Sequence, residues 1–358
     1  MSDTADRLRL IRSANVGPVT YAQLIARFGT AAQAIDAIPM LAARGGGRAP
    51  ALADPRAIDR EMAQVDKLGA RYLFLGDADY PPLLAEIDNA PPALIVRGDT
   101  SLLRRSGIAM VGARNASAAA IRFARQLAHA LAGDECAIIS GLARGIDTAV
   151  HQGSMDSGTI AVIASGIDIV FPPENADLQE QIARKGLLIT EQPPGSEPLA
   201  RHFPQRNRII AGLALGTVLV EAAPKSGSLI TARLAAEMGR EVMAVPGSPL
   251  DPRAQGCNAL IRDGATLIQT AADVLEQIRP IDARMLRASV NLFAGSPPGD
   301  ASDADRQAVT ALLGPAPVPI DEVIRQSGRS PAIVQTILLE LELAARLERH
   351  AGGRVSLI

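Results

Sequence analysis

The sequence predicts an α/β fold: an extended Rossmann-like, parallel-sheet domain flanked by an N-terminal helical SAM-like module and a C-terminal winged-helix domain. The first observation is that short apolar runs, such as residues 108–111 and 217–220, each lead into a glycine-containing loop and then a helix. Buried strands of parallel sheets have this pattern. The second observation is a Gly-Ser-Pro-Pro-Gly stretch at 295–299, beyond which helical segments precede a hairpin around Gly352.

The length of the chain and its glycine- and proline-rich stretches divide it into four predicted segments. With 358 residues, of which 47% are apolar, two or three domains and a sizeable core are expected. The predicted segments are a SAM-like helical module at 1–70, a Rossmann-like domain at 71–280, a linker at 281–303 and a winged-helix-like domain at 304–358.

The N-terminal module contains a stretch, residues 15–20, that is similar to the hairpin of a helix-hairpin-helix. Asn15 stands where such a hairpin has its first glycine, so a structural bundle is favoured over a DNA clamp. The glycine-rich stretch 44–50 is predicted to be a flexible connection.

In the C-terminal domain, helices are predicted near 305–313, 320–326 and 331–347. The last, the candidate recognition helix, carries Glu340 and Glu342 and no basic residue before Arg346. Because these carboxylates would repel phosphates, contact with protein is favoured over duplex binding.

Four strand-to-loop transitions are predicted to bring glycine, serine and basic residues to one edge of the sheet, where open α/β sheets bind ligands. A helix N-terminus there offers backbone N–H groups and a positive dipole end to an anion. A basic cluster lies at 201–208, in what is predicted to be a helix start. The candidate binding residues are Gly112, Arg114, Ser140, Gly141, Phe203, Arg206, Asn207, Arg208, Lys225, Ser226, Gly227 and Ser228.

Several classes of site are disfavoured by the residues present. Lys225-Ser226 follows Glu-Ala-Ala-Pro and lacks the P-loop glycines, and Arg114 stands where a dinucleotide fingerprint needs its second glycine. Cys136 and Cys257 are isolated and the four histidines are scattered, so neither a metal nor a cofactor is predicted. The net charge of −2 means that polyanion binding requires a local patch. Without a signal peptide or an apolar span, a cytoplasmic protein with no membrane span is expected.

Seven ordered motifs resemble those of the DprA/Smf family. They are VGARNAS (111–117), SGLARGIDTAVHQGS (140–154), ASGIDIVFPPEN (164–175), TEQPPG (190–195), FPQRNRIIAGL (203–213), EAAPKSGSLITA (221–232) and AVPG (244–247). The resemblance implies a non-catalytic, dimeric protein that binds and protects incoming single-stranded DNA in natural transformation and loads the recombinase RecA. By this similarity the DNA contacts are Arg114, Phe203, Arg206, Asn207, Arg208 and the 225–228 loop, beside Ser140-Gly141. Members of the family commonly have a tyrosine-proline pair where this sequence has Phe171-Pro172. Phenylalanine keeps the aromatic ring of the tyrosine but lacks its hydroxyl.

An enzyme acting on nucleotides is the alternative, since lysine-decarboxylase-like phosphoribohydrolases share a related sheet. Their PGGxGTxxE loop supplies a catalytic glutamate, whereas the corresponding stretch here, residues 224–231, has none. Glu221 precedes the loop, and no nucleophile lies beside a histidine base, so a binding protein is favoured.

Overall fold

The computed structural model describes residues 2–285, 300–350 and 352–358, so most of the predicted linker lies outside the described residues. These residues form two compact units, one from the described parts of 1–62 and 293–358 and the other from those of 63–292. The units divide within helix α4 (Pro55–Lys67), ahead of the predicted boundary at 70. The predicted helical module and the predicted winged helix therefore share one unit.

The larger unit is built on a nine-stranded sheet in the order β1-β2-β6-β5-β4-β3-β7-β8-β9. In the sheet, the seven strands β6-β5-β4-β3-β7-β8-β9 pair in parallel with their neighbours. At the β6 edge, β2 pairs antiparallel with β6, and β1 pairs antiparallel with β2. This sheet confirms the predicted α/β class. The strands are β1 (Arg71–Phe74), β2 (Ala93–Gly98), β3 (Gly107–Gly112), β4 (Ala137–Ser140), β5 (Thr159–Val162), β6 (Leu187–Thr190), β7 (Gly216–Val220), β8 (Glu241–Ala244) and β9 (Thr266–Leu267).

Helices cover both faces of this sheet, and the strand sequences explain why. Successive strand residues point to opposite faces, and in β3 Ile108 and Met110 enter one apolar core while Ala109 and Val111 enter the other. The helices are α5 (Pro82–Ala85), α6 (Ala118–Gly133), α7 (Ile146–Ser154), α8 (Ala176–Lys185), α9 (His202–Gly212), α10 (Ser228–Glu237), α11 (Gln255–Arg262) and α12 (Ala271–Met285), with short 3-10 turns at Thr100–Arg104 and Pro173–Asn175.

The order of the strands fixes where a ligand fits. From β3 the chain builds outward through β4, β5 and β6 on one side, then returns to place β7, β8 and β9 on the other. The connections diverge between β3 and β7, and the crevice outside the carboxyl ends of such strands is the usual ligand site of an open α/β sheet.

The smaller unit combines helices α1 (Asp3–Ile11), α2 (Pro18–Phe28) and α3 (Ala31–Arg44) with the C-terminal domain. That domain contains the helices α13 (Asp303–Thr310), α14 (Ile320–Ser327) and α15 (Pro331–Leu343). Its strands β10 (Val318–Pro319), β11 (Leu347–His350) and β12 (Arg354–Leu357) form a sheet in the order β10-β12-β11. This arrangement confirms the predicted winged helix. The predicted third helix, 331–347, is shorter, because Ala345 turns the chain with a φ of 56°.

Helix α15, at the position of a recognition helix, is buried by the N-terminal helices of the same unit. Leu339 and Leu343 belong to the core formed by α1, α2 and α3. Glu340 is fully buried and accepts two bonds of 2.8 Å from the Arg306 guanidinium. A Cβ on Gly45 would collide with the Glu340 carbonyl, so the predicted flexible stretch at 44–50 is instead a close packing contact at this point.

No helix in the described ranges has both the length and the apolar content needed to cross a bilayer.

Candidate polyanion-binding site

A cleft of about 840 Å³ opens at the carboxyl ends of β3 and β7, where the strand order predicts it. Nine of the twelve candidate residues line this cleft. They are Gly112, Arg114, Phe203, Arg206, Asn207, Lys225, Ser226, Gly227 and Ser228. Ser140, Gly141 and Arg208 do not line it, for reasons given below.

The loop after β3 is held by a carboxylate from the loop after β7. Ser117 caps α6 by accepting a bond of 3.1 Å from the Ala120 N–H. Glu221 in turn accepts bonds of 2.8 Å from the Ser117 N–H and 2.5 Å from its hydroxyl. Glu221 has a φ of 52°, a left-handed conformation that is rare outside glycine. Its carboxylate is thus committed to tying the two loops together.

The loop after β7 presents a helix N-terminus and a lysine to the cleft. Helix α10 starts at Ser228, and its N-cap residue Gly227 has no side chain to cap it. The N–H groups of Ser228, Leu229 and Ile230 bond within the loop, to the Ser226 hydroxyl at 3.4 Å and to the Ser226 and Gly227 carbonyls at 3.1 Å. The helix therefore offers the cleft the positive end of its dipole, where Gly227 and Ser228 line the cleft. The hydroxyls of Ser226 and Ser228 bond to each other at 2.7 Å, and the Lys225 side chain is exposed.

Arg206 lies deeper than predicted. Helix α9 begins at His202, so Arg206 is mid-helix, only 8% exposed, and donates to the Val162 carbonyl at 3.1 Å. It faces the buried Asp147, in the first turn of α7. Burial raises the pKa of Asp147 although the Arg206 charge acts to lower it, and burial lowers the pKa of Arg206 although Asp147 acts to raise it. Arg206 and Asp147 therefore form the charged floor of the cleft.

Ser140 and Gly141 support this floor from behind. The Ser140 hydroxyl is fully buried and donates to the Met110 carbonyl at 2.6 Å. A Cβ on Gly141 would collide with the Arg206 guanidinium and come within 2.5 Å of the Asp147 carboxylate. These two residues position Arg206 and Asp147, and the structure does not bring them to the cleft surface.

Arg208 is directed elsewhere in the structure. Its guanidinium bonds both carboxylate oxygens of Glu191, at 2.7 and 2.6 Å, and its side chain is only 7% exposed. Residues two apart on a helix do not share a face, so Arg206 and Arg208 cannot both reach the cleft. The Arg208 guanidinium is thus engaged by Glu191 and does not line the cleft.

Replacing Arg208 by methionine is accordingly expected to lower the free energy of unfolding by about 2–4 kcal/mol, because Glu191 loses its buried partner. Oligo-dT affinity per folded molecule should stay within about twofold of wild type, since a change of 0.4 kcal/mol or less is expected at the cleft. Urea denaturation and fluorescence anisotropy measure the two effects. A loss of affinity with unchanged stability would show that Arg208 contacts the bound strand.

A smaller aromatic pocket of about 250 Å³ adjoins the cleft, because Arg114, Phe203 and Arg206 line both. The rings of Phe171 and Phe203 meet edge to face with centroids 5.8 Å apart, and the Arg114 guanidinium carbon lies 5.8 Å from the Phe203 centroid. Phe171 is 42% exposed, so an aromatic surface is open beside the cations. Aromatic rings beside a cation suit a ligand that has a planar ring attached to an anionic backbone.

Sequence analysis missed the far wall of the cleft, which is formed by Pro252 and Arg253 in the loop after β8. Arg253 is 40% exposed and paired with Asp251 at 2.9 Å. The signal was present in the AVPG motif, because a fifth strand, beyond the four used for the prediction, must also end at this edge.

A Rossmann-like sheet with a cationic, serine-lined cleft at its carboxyl edge, joined in one chain to a winged helix, defines the class of this protein. Family models match nearly all of the chain. DNA recombination-mediator protein A matches residues 71–279, the DprA-like N-terminal HHH domain 1–63 and the DprA winged helix domain 294–353. The chain belongs to the DprA/Smf family, as its motifs indicated.

Individual relatives agree with this assignment. The chain is 41% identical over 236 residues to DNA processing protein DprA of Streptococcus pneumoniae, covering 65% of this chain and 83% of that protein. It is 37% identical to protein Smf of Escherichia coli, over 80% and 77% of the two chains. The X-ray structure of the S. pneumoniae protein superposes with a TM-score of 0.62 at 33% identity, covering 78% of this chain and 99% of that chain. A Helicobacter pylori structure, described in terms of its single-stranded DNA binding mode, has a TM-score of 0.51 at 26% identity and covers 61% and 96%.

Proposed function

We propose that this protein binds single-stranded DNA in the cleft, protects it, and loads the recombinase RecA onto it as a homodimer without catalysing any reaction. The observation that carries the proposal is that one cleft brings together two exposed cations, Arg114 and Lys225, the amide Asn207 and the positive end of the α10 dipole, and that an open aromatic surface adjoins it. The relation to the H. pylori protein supports single-stranded DNA as the polyanion.

The chemistry of the cleft favours single strands over duplex. Phosphates contact the cations and the helix N-terminus, while a base enters the aromatic pocket against Phe171 and Phe203. A stacked base is worth about 1–3 kcal/mol in single-strand binding proteins. Bases in a duplex are already stacked and paired, so a duplex would lose this contact.

The same residues argue against the phosphoribohydrolase alternative. The carboxylate nearest the loop, Glu221, is held by the Ser117 N–H and hydroxyl. Asp147 lies in the floor of the cleft, but it is only 7% exposed and faces the Arg206 guanidinium. The His151 ring is fully buried, and both of its nitrogens are engaged, by the Thr159 hydroxyl and the Gly141 carbonyl. Each of the three groups is therefore engaged by a protein partner, and none is free to act as a general base on a bound nucleotide.

A titration tests the proposal. Fluorescein-labelled oligo-dT should bind the purified protein much more tightly than a duplex of equal length, with a slope of log K against log salt near −2, as expected for about three phosphate contacts to a single strand. Equal affinity for duplex and single strand, or an affinity independent of salt, would contradict the proposal. Hydrolysis of a nucleoside monophosphate by the wild-type protein would support the alternative.

A further inference from the structure

The loop after β8, residues 247–253, is held rigidly although it is on the surface. The Asn258 side chain clamps Gly247 from both sides, accepting from its N–H at 3.1 Å and donating to its carbonyl at 2.9 Å. Within the loop the Asp251 N–H donates to the Ser248 carbonyl at 3.0 Å, and the Asp251 carboxylate accepts from the Arg253 N–H at 2.9 Å. The tip of this loop thus has a defined position.

At that tip, Leu250 is 91% exposed, the highest value among the large exposed apolar residues of the described chain. A single exposed leucine is ordinary on a mobile surface, but here the surrounding hydrogen bonds fix it two residues from Pro252, which lines the cleft. The Leu250 side chain is therefore an exposed apolar group in the same loop that supplies Pro252 and Arg253 to the cleft.

The order of the strands shows how the aromatic pocket and the β8 loop are arranged along the edge of the sheet. Phe171 follows β5 and Leu250 follows β8, and the sheet order β5-β4-β3-β7-β8 separates those strands by four intervals. At about 4.8 Å per interval, the ends of β5 and β8 are about 19 Å apart along the edge of the sheet. Along the carboxyl edge lie, in order, the aromatic pocket, Arg114, the Lys225 loop and Arg253.

We infer that the β8 loop is the far end of the single-strand track: Arg253 contacts a phosphate and Leu250 packs against a base, so that a bound strand runs from Phe171 to Leu250. Leucine side chains serve as apolar wedges against bases in other DNA-binding proteins. Asp251 keeps Arg253 in place and opposes the phosphate charge. This inference rests on the proposed function and adds the extent of the strand and its second apolar contact.

Oligonucleotide length tests the inference, because only a strand long enough to span about 19 Å, on the order of six or seven phosphates at a stacked spacing of 3.4 Å, reaches the loop. With oligo-dT of about 12 nucleotides, Leu250→Ser and Arg253→Ala should each weaken binding about 5- to 10-fold, and Asp251→Asn should strengthen it about 2-fold, as the removal of one charge near a phosphate predicts. With oligo-dT of about 3 nucleotides, Leu250→Ser and Arg253→Ala should bind as wild type, whereas Arg114→Ala should weaken both lengths.

Matched controls are available in exposed residues that do not line the cleft. Met40→Ser removes an apolar side chain that is 45% exposed, and Arg233→Ala removes a cation that is 67% exposed; neither should change the affinity. The inference is overturned if Leu250→Ser and Arg253→Ala bind the longer strand as wild type, or weaken both lengths equally. Failure of the wild-type protein to bind oligo-dT at all would instead overturn the proposed function.

Discussion

Replacing Arg114 and Lys225 together by alanine is expected to weaken oligo-dT binding at least about 100-fold, because each removes a charge-assisted contact worth about 1.5–3 kcal/mol. Both side chains are exposed, and they come from the loops that Glu221 and Ser117 tie together. The fold should therefore remain intact, with an unfolding midpoint within experimental error of wild type. Anisotropy at fixed salt measures the affinity, and loading of RecA onto the strand should be lost in parallel.

The matched control for this variant is Lys185→Ala with Arg233→Ala. It removes the same two charges from exposed positions, each of which lies in a surface ion pair. A loss of affinity in the control equal to that of Arg114→Ala with Lys225→Ala would mean that net charge, and not the cleft, governs binding. Wild-type affinity in the cleft variant would show that the strand binds elsewhere.

The second large effect is on folding. Arg206→Ala is expected to lower the free energy of unfolding by about 3–5 kcal/mol, because it leaves the Asp147 carboxylate buried without its compensating cation. Arg206 also loses its bond to the Val162 carbonyl, and the space beside Gly141 is left unfilled. Chemical denaturation followed by circular dichroism measures the change. Arg201→Ala, an exposed position just ahead of the same helix, should change stability by no more than about 0.5 kcal/mol.

A double-mutant cycle separates the charge effect from the loss of packing. Asp147→Asn removes the buried charge while keeping an oxygen that accepts from the Ala143 N–H. If the carboxylate is the cause, Arg206→Ala combined with Asp147→Asn should be more stable than Arg206→Ala alone, with a coupling free energy of about 1–3 kcal/mol. Strictly additive effects would show that Arg206 contributes through packing alone.

Local sequence patterns were sufficient to predict the elements that form the cleft. The apolar run at 108–111 and the glycine after it define β3 and its loop. The same reasoning applies to β7 and the 225–228 loop. These features depend on neighbours within a few positions, which is the distance over which capping and strand patterning act.

The depth and direction of the α9 side chains could not be obtained in this way. Arg208 pairs with Glu191, which follows β6, and Arg206 faces Asp147 on α7. Both partners are chosen by packing between elements distant in sequence. Once Arg206 and Arg208 are placed on one helix, however, they must point in different directions, because residues two apart on a helix do not share a face. The β8 loop was missed for a different reason: its arginine is partly neutralised by Asp251 and stands in no basic run.

The burial of α15 by α3 has a consequence for the order in which the chain folds. The apolar face that α1, α2 and α3 direct at Leu339 and Leu343 precedes the whole nine-stranded sheet in the chain, whereas α15 follows that sheet. Domains usually fold as they leave the ribosome, but the smaller unit lacks α15 until the larger unit has been synthesised. The apolar face of the N-terminal helices is therefore left without Leu339 and Leu343 during that interval.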